Sequence, residues 1–147
     1  MLNSESDFTI KRGVVRFHTE ARSFCATAKG RIINPQTQPS LRVQDWKDKV
    51  ECAVKAARGG AQWSCADRYA VTLQFRFGFG PGCFRSKDQK LDVDNFVKPV
   101  VDGLAKGLGV DDSNFRILLI RRLDDVETLA EEGVRLFVSS TGNAPPG

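Results

Sequence analysis

The sequence has few of the residues from which zinc sites and disulfide frameworks are built. It contains one histidine, and its four cysteines include no Cys-x-x-Cys pair, so neither a zinc site nor a disulfide framework is expected. No stretch approaches the roughly 20 apolar residues of a membrane span. No secretory signal is visible near Met1 either. We therefore expect a cytoplasmic protein, bacterial or phage-encoded, with reduced thiols and no membrane partner.

Two common ligand-binding motifs are also missing. The glycines at 78, 80 and 82 form Gly-x-Gly-x-Gly, which is not the Gly-x-Gly-x-x-Gly of a dinucleotide site, and no helix is predicted directly after them. The acidic segment at 92–94 lacks the glycine that an EF-hand needs at its sixth position. We interpret the glycines as turn residues and exclude an EF-hand.

The positive charge is concentrated in the first two thirds of the chain. The formal net charge is +4, with +7 in residues 1–106 and −3 in residues 107–147. A basic region that encloses a small acidic cluster suits a polyanion partner. Solubility alone would explain the charge equally well, so charge does not decide the function.

The hydrophobic patterns predict a single small α/β (α+β) domain over residues 1–140 and a flexible tail over 141–147. Helices are predicted at about 43–57 and 95–107, the second with Pro99 in its first turn and Gly107 and Gly109 at its end. Strands are predicted at 8–17, 69–79, 114–123 and 133–139, with short β pieces at 24–27 and 31–34 in a long loop over 18–42. We expect a mixed sheet of about four strands with both helices packed against it. Strand 114–123 is apolar on both sides, which predicts a central position, and the last strand is expected to run antiparallel to it.

Four carboxylates and a lysine are grouped around the second helix. Asp92 and Asp94 precede it, Lys98 lies four residues after Asp94, and Asp111 and Asp112 follow it. Carboxylates held close together need a cation, and Mg²⁺ binds oxygen ligands while keeping sites for water and phosphate. Asp92, Asp94 and either Asp111 or Asp112 are therefore candidate metal ligands.

Lys98 would then contact a scissile phosphate. Each residue also has an ordinary interpretation: a helix cap, a turn, or a solvated lysine. Asp102 lies on the same helix face. It could pair with Lys98 or Lys106, but the solvated interpretation is favoured.

Basic residues flank this cluster and are candidate contacts to a DNA backbone. They are Arg85, Lys87 and Lys90 in the loop before Asp92, together with Lys29 and Arg31 in the earlier loop.

The segment Asp92-Val-Asp-Asn-Phe-Val-Lys98, followed by Asp102-Gly-Leu and Val110-Asp-Asp112, resembles the RusA family of Holliday junction resolvases. The resemblance covers about residues 90–123, and it departs from the family at Leu91, where a basic residue is usual. It implies a homodimeric endonuclease of DNA recombination and repair that cuts four-way junctions symmetrically with Mg²⁺, which Mn²⁺ can replace. It also implies Asp92, Asp94 and Asp112 as metal ligands and Lys98 as a catalytic residue, with Asp112 preferred over Asp111.

Two other functions remain open. One is a structure-selective DNA-binding module of nuclease fold with weak or no cleavage. The other is a metal-dependent transferase that uses an Asp-x-Asp motif, which the small size and the missing phosphate loop disfavour.

Overall fold

The computed structural model describes residues 22–60, 63 and 67–143. It contains four strands and two long helices in the order β1 Ser23–Lys29, α1 Ser40–Arg58, β2 Asp67–Arg76, α2 Val97–Leu108, β3 Phe115–Arg122 and β4 Gly133–Asn143. Short 3₁₀ turns lie at Val93–Phe96, Asp112–Asn114 and Leu129–Glu131.

The four strands form one mixed sheet with the spatial order β1-β4-β2-β3. β2 and β3 are parallel and are connected through α2, whereas β4 lies between β1 and β2 and is antiparallel to both. This confirms the predicted fold class. The last strand does run opposite to β3, as predicted, but β2 separates the two.

The core lies on one face of the sheet, under the helices. Alternate residues of β2 from Tyr69 to Phe75 are fully buried, as the period-2 pattern predicts. Trp46, Val50 and Val54 supply the buried side of α1 and belong to the same cluster. Burial continues beyond the end of β2 through Phe77 and Phe79. This continuation ties the loop before α2 to the core.

Several predicted elements differ from the observed ones. The short β piece predicted at 24–27 is confirmed as part of β1, which is longer, at Ser23–Lys29, and lies within the segment predicted as a long loop. No strand is present at 31–34, and α1 begins three residues earlier than predicted. The predicted tail starts too early, because β4 continues to Asn143. The predicted strand at 8–17 lies outside the described residues.

The prediction that β3 is central and covered on both faces is wrong for the described part of the chain. β3 is an edge strand of the four, and Leu118, Leu119 and Ile120 are 39%, 57% and 37% exposed. An apolar pattern on both sides indicates that both faces avoid water, but it does not say whether the same chain or another one covers them.

Two glycines allow α2 to pack closely on α1. A Cβ atom on Gly103 would come within 2.8 Å of the Lys47 carbonyl oxygen and of the Val50 Cβ, and one on Gly107 would come within 2.7 Å of Val54. Gly107 was predicted to end the helix, but it lies inside it. Gly109, with φ of 75°, is the residue that caps α2.

Candidate active site

The entry to α2 presents two acidic side chains to solvent. Asp92 has extended backbone angles and caps the 3₁₀ turn Val93–Phe96, because its Oδ1 accepts a hydrogen bond of 3.1 Å from the backbone N–H of Asp94. Pro99 lies in the first turn of α2, where its missing N–H costs little. Both carboxylates therefore lie on the turn before the helix, as Pro99 predicted.

Lys98 connects this end of α2 to two acidic side chains. Its Nζ lies 3.0 Å from Asp102 Oδ1 and 3.7 Å from Asp112 Oδ2. Asp112 follows the C-terminus of α2 in sequence, so the chain turns back along the helix to reach a lysine of the first turn. The structure thus brings Lys98 and Asp112 together, although they are 14 positions apart in sequence.

Asp102 lies between two lysines, Lys47 and Lys98, and forms an ion pair with each. Its Oδ2 is 3.2 Å from Nζ of Lys47 on α1. Burial raises the pKa of Asp102, but hydrogen bonds from Lys98 and Lys47 outweigh that effect and lower it overall. The hydrogen bond to Asp102, helped by Asp112, raises the pKa of Lys98. Lys98 is therefore a stable positive charge, and Asp102 is paired rather than solvated.

Asp111 and Asp112 have different surroundings. Asp111 caps the turn Asp112–Asn114, with its Oδ1 accepting a 3.0 Å hydrogen bond from the backbone N–H of Ser113. That backbone bond is the main cause that lowers the pKa of Asp111. Asp112 instead faces Lys98. This difference supports the preference for Asp112 as the member of the pair that belongs to the site.

The donor set suits a hard divalent ion in chemistry, because it consists of exposed carboxylate oxygens. Within the described ranges, no group of three acidic, histidine or cysteine side chains is close enough to hold a metal ion. Mg²⁺ commonly takes only one or two protein carboxylates and completes its shell with water and phosphate oxygens. Asp92 and Asp94 would supply two such carboxylates, and Asp112 would have to approach them to become a third ligand.

Arg85 is placed where it cannot serve as the predicted DNA contact. It is 7% exposed; its Nη1 donates a 2.8 Å hydrogen bond to Glu132 Oε2, and its Nη2 donates one of 2.8 Å to the Ile32 carbonyl. Glu132, fully buried, also accepts hydrogen bonds from the backbone N–H groups of Ile32 and Gly78 at 2.7 and 3.0 Å. This ion pair fastens three segments of the chain to each other, so we assign Arg85 a structural role.

The other predicted DNA contacts remain at the surface. Lys29, Lys87 and Lys90 are exposed, and Arg31 is partly buried with its guanidinium carbon 3.9 Å from the centre of the Phe84 ring. Lys87 and Lys90 belong to the loop that leads to Asp92, which places their positive charge beside the acidic cluster in sequence.

Sequence reasoning missed three residues that the structure connects to the site: Lys47, Glu132 and Phe84. Lys47 lies on α1, a different helix from Lys98, and a helical pattern does not show which side chains of two helices will meet. Glu132 ends the acidic segment Asp124–Glu132, and acidic residues in such a segment are mostly exposed. Phe84 is 52% exposed, and a phenylalanine among glycines and basic residues was the one signal that could have drawn attention to it.

Comparison with known protein families gives one match over most of the chain. A family model described as Endodeoxyribonuclease RusA matches residues 17–138. Among curated proteins, none matches this sequence. No helix in the part of the chain that the structure describes is both long and apolar enough to cross a membrane.

Proposed function

Because the chain belongs to the RusA family of endodeoxyribonucleases, we propose that it resolves four-way DNA junctions by paired symmetric cleavage of phosphodiester bonds. The reaction would depend on Mg²⁺, with Mn²⁺ able to substitute, and would serve DNA recombination and repair. The observation that carries the proposal is the arrangement around the first turn of α2. Exposed Asp92 and Asp94 precede the turn, and Lys98 within it forms ion pairs with Asp102 and Asp112.

Each side chain has a defined task in this proposal. Asp92 and Asp94 would hold the metal through their carboxylate oxygens, and Asp112 is the candidate third ligand. A bound divalent ion would supply an activated water and neutralise charge on the scissile phosphate. Lys98, oriented by Asp102, donates hydrogen bonds to a phosphate oxygen and stabilises the negative charge that develops there. Lys87 and Lys90 neutralise the neighbouring phosphates.

Two symmetric cuts require two active sites, so the proposal includes a homodimer. The sheet face opposite the helices carries Phe137 on β4 and Leu119 on β3, which align with Thr72 of the strand between them. Phe137 and Leu119 are 37% and 57% exposed, and exposed apolar residues in a row are typical of surfaces between subunits. Light scattering of the protein should give twice the mass of one chain. A complex that contains one protein chain per junction would contradict the dimer.

The experiment that tests the activity is cleavage of a synthetic four-way junction. We expect symmetric nicks in two opposing strands with Mg²⁺, none with EDTA, and no comparable cleavage of linear duplex of the same arm sequence. Equal cleavage of both substrates would show a nuclease without junction selectivity. Binding should weaken steeply with added salt, because it rests on phosphate contacts that release counterions.

One observation favours the alternative, a structure-selective DNA-binding module with weak or no cleavage. The described carboxylates do not converge in a group of three. The same assay separates the two functions, because the module would bind the junction with little or no nicking at any Mg²⁺ concentration.

A further inference from the structure

An exposed aromatic ring lies on the loop that leads into the acidic cluster. Phe84 is 52% exposed even though the guanidinium of Arg31 covers part of it, with its Cζ 3.9 Å from the ring centroid. Burying a phenylalanine is worth about 1.5–3 kcal/mol, and about half of the Phe84 surface remains accessible to a ligand that could bury it. Arginine planes and aromatic rings are the two kinds of surface on which nucleic-acid bases stack.

Phe84 separates two clefts of different chemistry. The first, of about 180 Å³, is lined by Arg31 and Phe84 and by the amide side chains of Asn34, Gln38 and Gln89. Amide side chains can donate and accept hydrogen bonds, which suits the polar edges of a base. Phe96 also lines this cleft. Phe96 ends the turn that Asp92 caps and that contains Asp94, so one residue of this turn forms part of the cleft wall.

The second cleft, of about 250 Å³, carries an excess of positive charge. Arg31, Arg42 and Lys49 line it together with one acid, Asp45. Burial, followed by repulsion from Arg42 and Arg85, lowers the pKa of Arg31. A phosphate group in this cleft would relieve that repulsion. A surface suited to a base and a surface suited to a phosphate therefore meet at the Phe84 ring. A nucleotide, which carries both groups, could contact the two surfaces at once.

We propose that Phe84 and Arg31 form a stacking platform for one nucleobase that has left the DNA stack, with its edge towards the amide-lined cleft and its phosphate towards Arg42 and Lys49. The inference rests on the proposed function in that the ligand is DNA, and it adds a subsite for an unstacked nucleotide next to the cleaved bond. Bases at a branch point are easier to unstack than bases inside a duplex, which would favour branched over linear DNA.

The test compares binding of two fluorescent ten-nucleotide strands in EDTA by anisotropy. One is oligothymidine, and the other has the same phosphates and sugars but no bases. Phe84→Ala should weaken binding of oligothymidine by roughly 5- to 150-fold, the range for loss of one stacked base, and should leave binding of the abasic strand unchanged. Phe84→Tyr keeps the ring and should bind as the unmodified protein does.

A matched control is Leu41→Ala, which removes another exposed apolar side chain, 73% exposed and outside both clefts. It should change neither affinity. Equal losses on both strands for Phe84→Ala, or no loss on oligothymidine, would overturn the stacking platform. Unmodified protein that binds a four-way junction but not oligothymidine would also overturn it while leaving the proposed function intact. Failure to bind either DNA would count against both.

Discussion

Two groups of charged residues have opposite surroundings in the fold, although Arg85 of the first group lies close in sequence to the second. Arg85 and Glu132 are buried, and every contact described for them is a hydrogen bond or ring contact inside the protein. Asp92, Asp94 and Lys98 begin seven residues after Arg85, yet they lie at the surface. The first group holds segments of the fold together, whereas the second leaves its charged atoms available to a ligand.

The energetic cost of the two groups differs for the same reason. A buried ion pair requires desolvation of both charges, which is tolerated here because Glu132 also accepts two backbone N–H groups. Exposed ion pairs contribute about 0–1 kcal/mol to stability. The ion pairs of Lys98 with Asp102 and Asp112 therefore add little to the stability of the fold. Their more important effect is to position the Lys98 side chain.

The largest effect is expected from Asp94→Asn, which should reduce junction cleavage by well over the roughly 100-fold that loss of an outer-shell partner of a metal can cost, because Asp94 is proposed as a direct ligand. Asparagine keeps the size of the side chain, so junction binding and thermal stability should persist. Asp88→Asn is the matched control, because Asp88 is an exposed acid in the same loop. Full cleavage by the Asp94 variant would show that Asp94 does not belong to the active site. The exposed group would then lack one of its proposed ligand-binding residues.

Substitutions in the buried pair Arg85–Glu132 should lower the stability of the fold rather than the rate of cleavage. Glu132→Ala leaves Nη1 of Arg85 and the backbone N–H groups of Ile32 and Gly78 without their acceptor. We therefore expect the free energy of unfolding to fall by about 3–5 kcal/mol, measured by urea denaturation. Lys87→Ala, in the same loop as Arg85 but exposed, should change it by less than about 0.5 kcal/mol.

A double replacement distinguishes an ordinary ion pair from the network seen here. Replacing a buried pair by apolar residues is often neutral. Arg85→Met combined with Glu132→Leu should remain destabilised, because the N–H groups of Ile32 and Gly78 would still lack acceptors. Recovery of full stability in the double variant would mean that the backbone contacts matter little.

Lys98→Ala should lower cleavage by about 10²–10³-fold, the effect of removing one charge-stabilising donor. Junction affinity should change only a few-fold, because Lys87 and Lys90 still neutralise the backbone. Lys106→Ala removes an exposed lysine from the same helix and serves as the control. A loss of affinity without a loss of turnover would make Lys98 an ordinary backbone contact.

The sequence predicted local features of this site well and long-range ones poorly. Pro99 alone placed Asp92 and Asp94 on the turn before α2, because the position of a proline in a helix is restricted locally. Arg85 was misassigned because its partner, Glu132, is 47 residues away, and nothing in a basic loop signals that one arginine turns inward. The position of β3 in the sheet was predicted wrongly for a related reason. Apolar residues on both sides of a strand indicate that both faces are covered, but not by which surface.

The smallest effect is expected at Asp102, and it distinguishes the roles of Lys98 and Lys47, which both pair with this residue. Asp102→Asn removes the ion pairs to both Lys98 and Lys47, and we expect cleavage to fall by about 10-fold, as for other residues that orient a functional group. Lys47→Ala breaks only the pair that joins α1 to α2 and should cost less. If Asp102 orients Lys98, then Asp102→Glu should restore part of the cleavage, and the melting temperature should barely change. Equal losses of cleavage in Asp102→Asn and Lys47→Ala, together with a lower melting temperature in both, would instead place Asp102 with Glu132 among the residues that hold the fold.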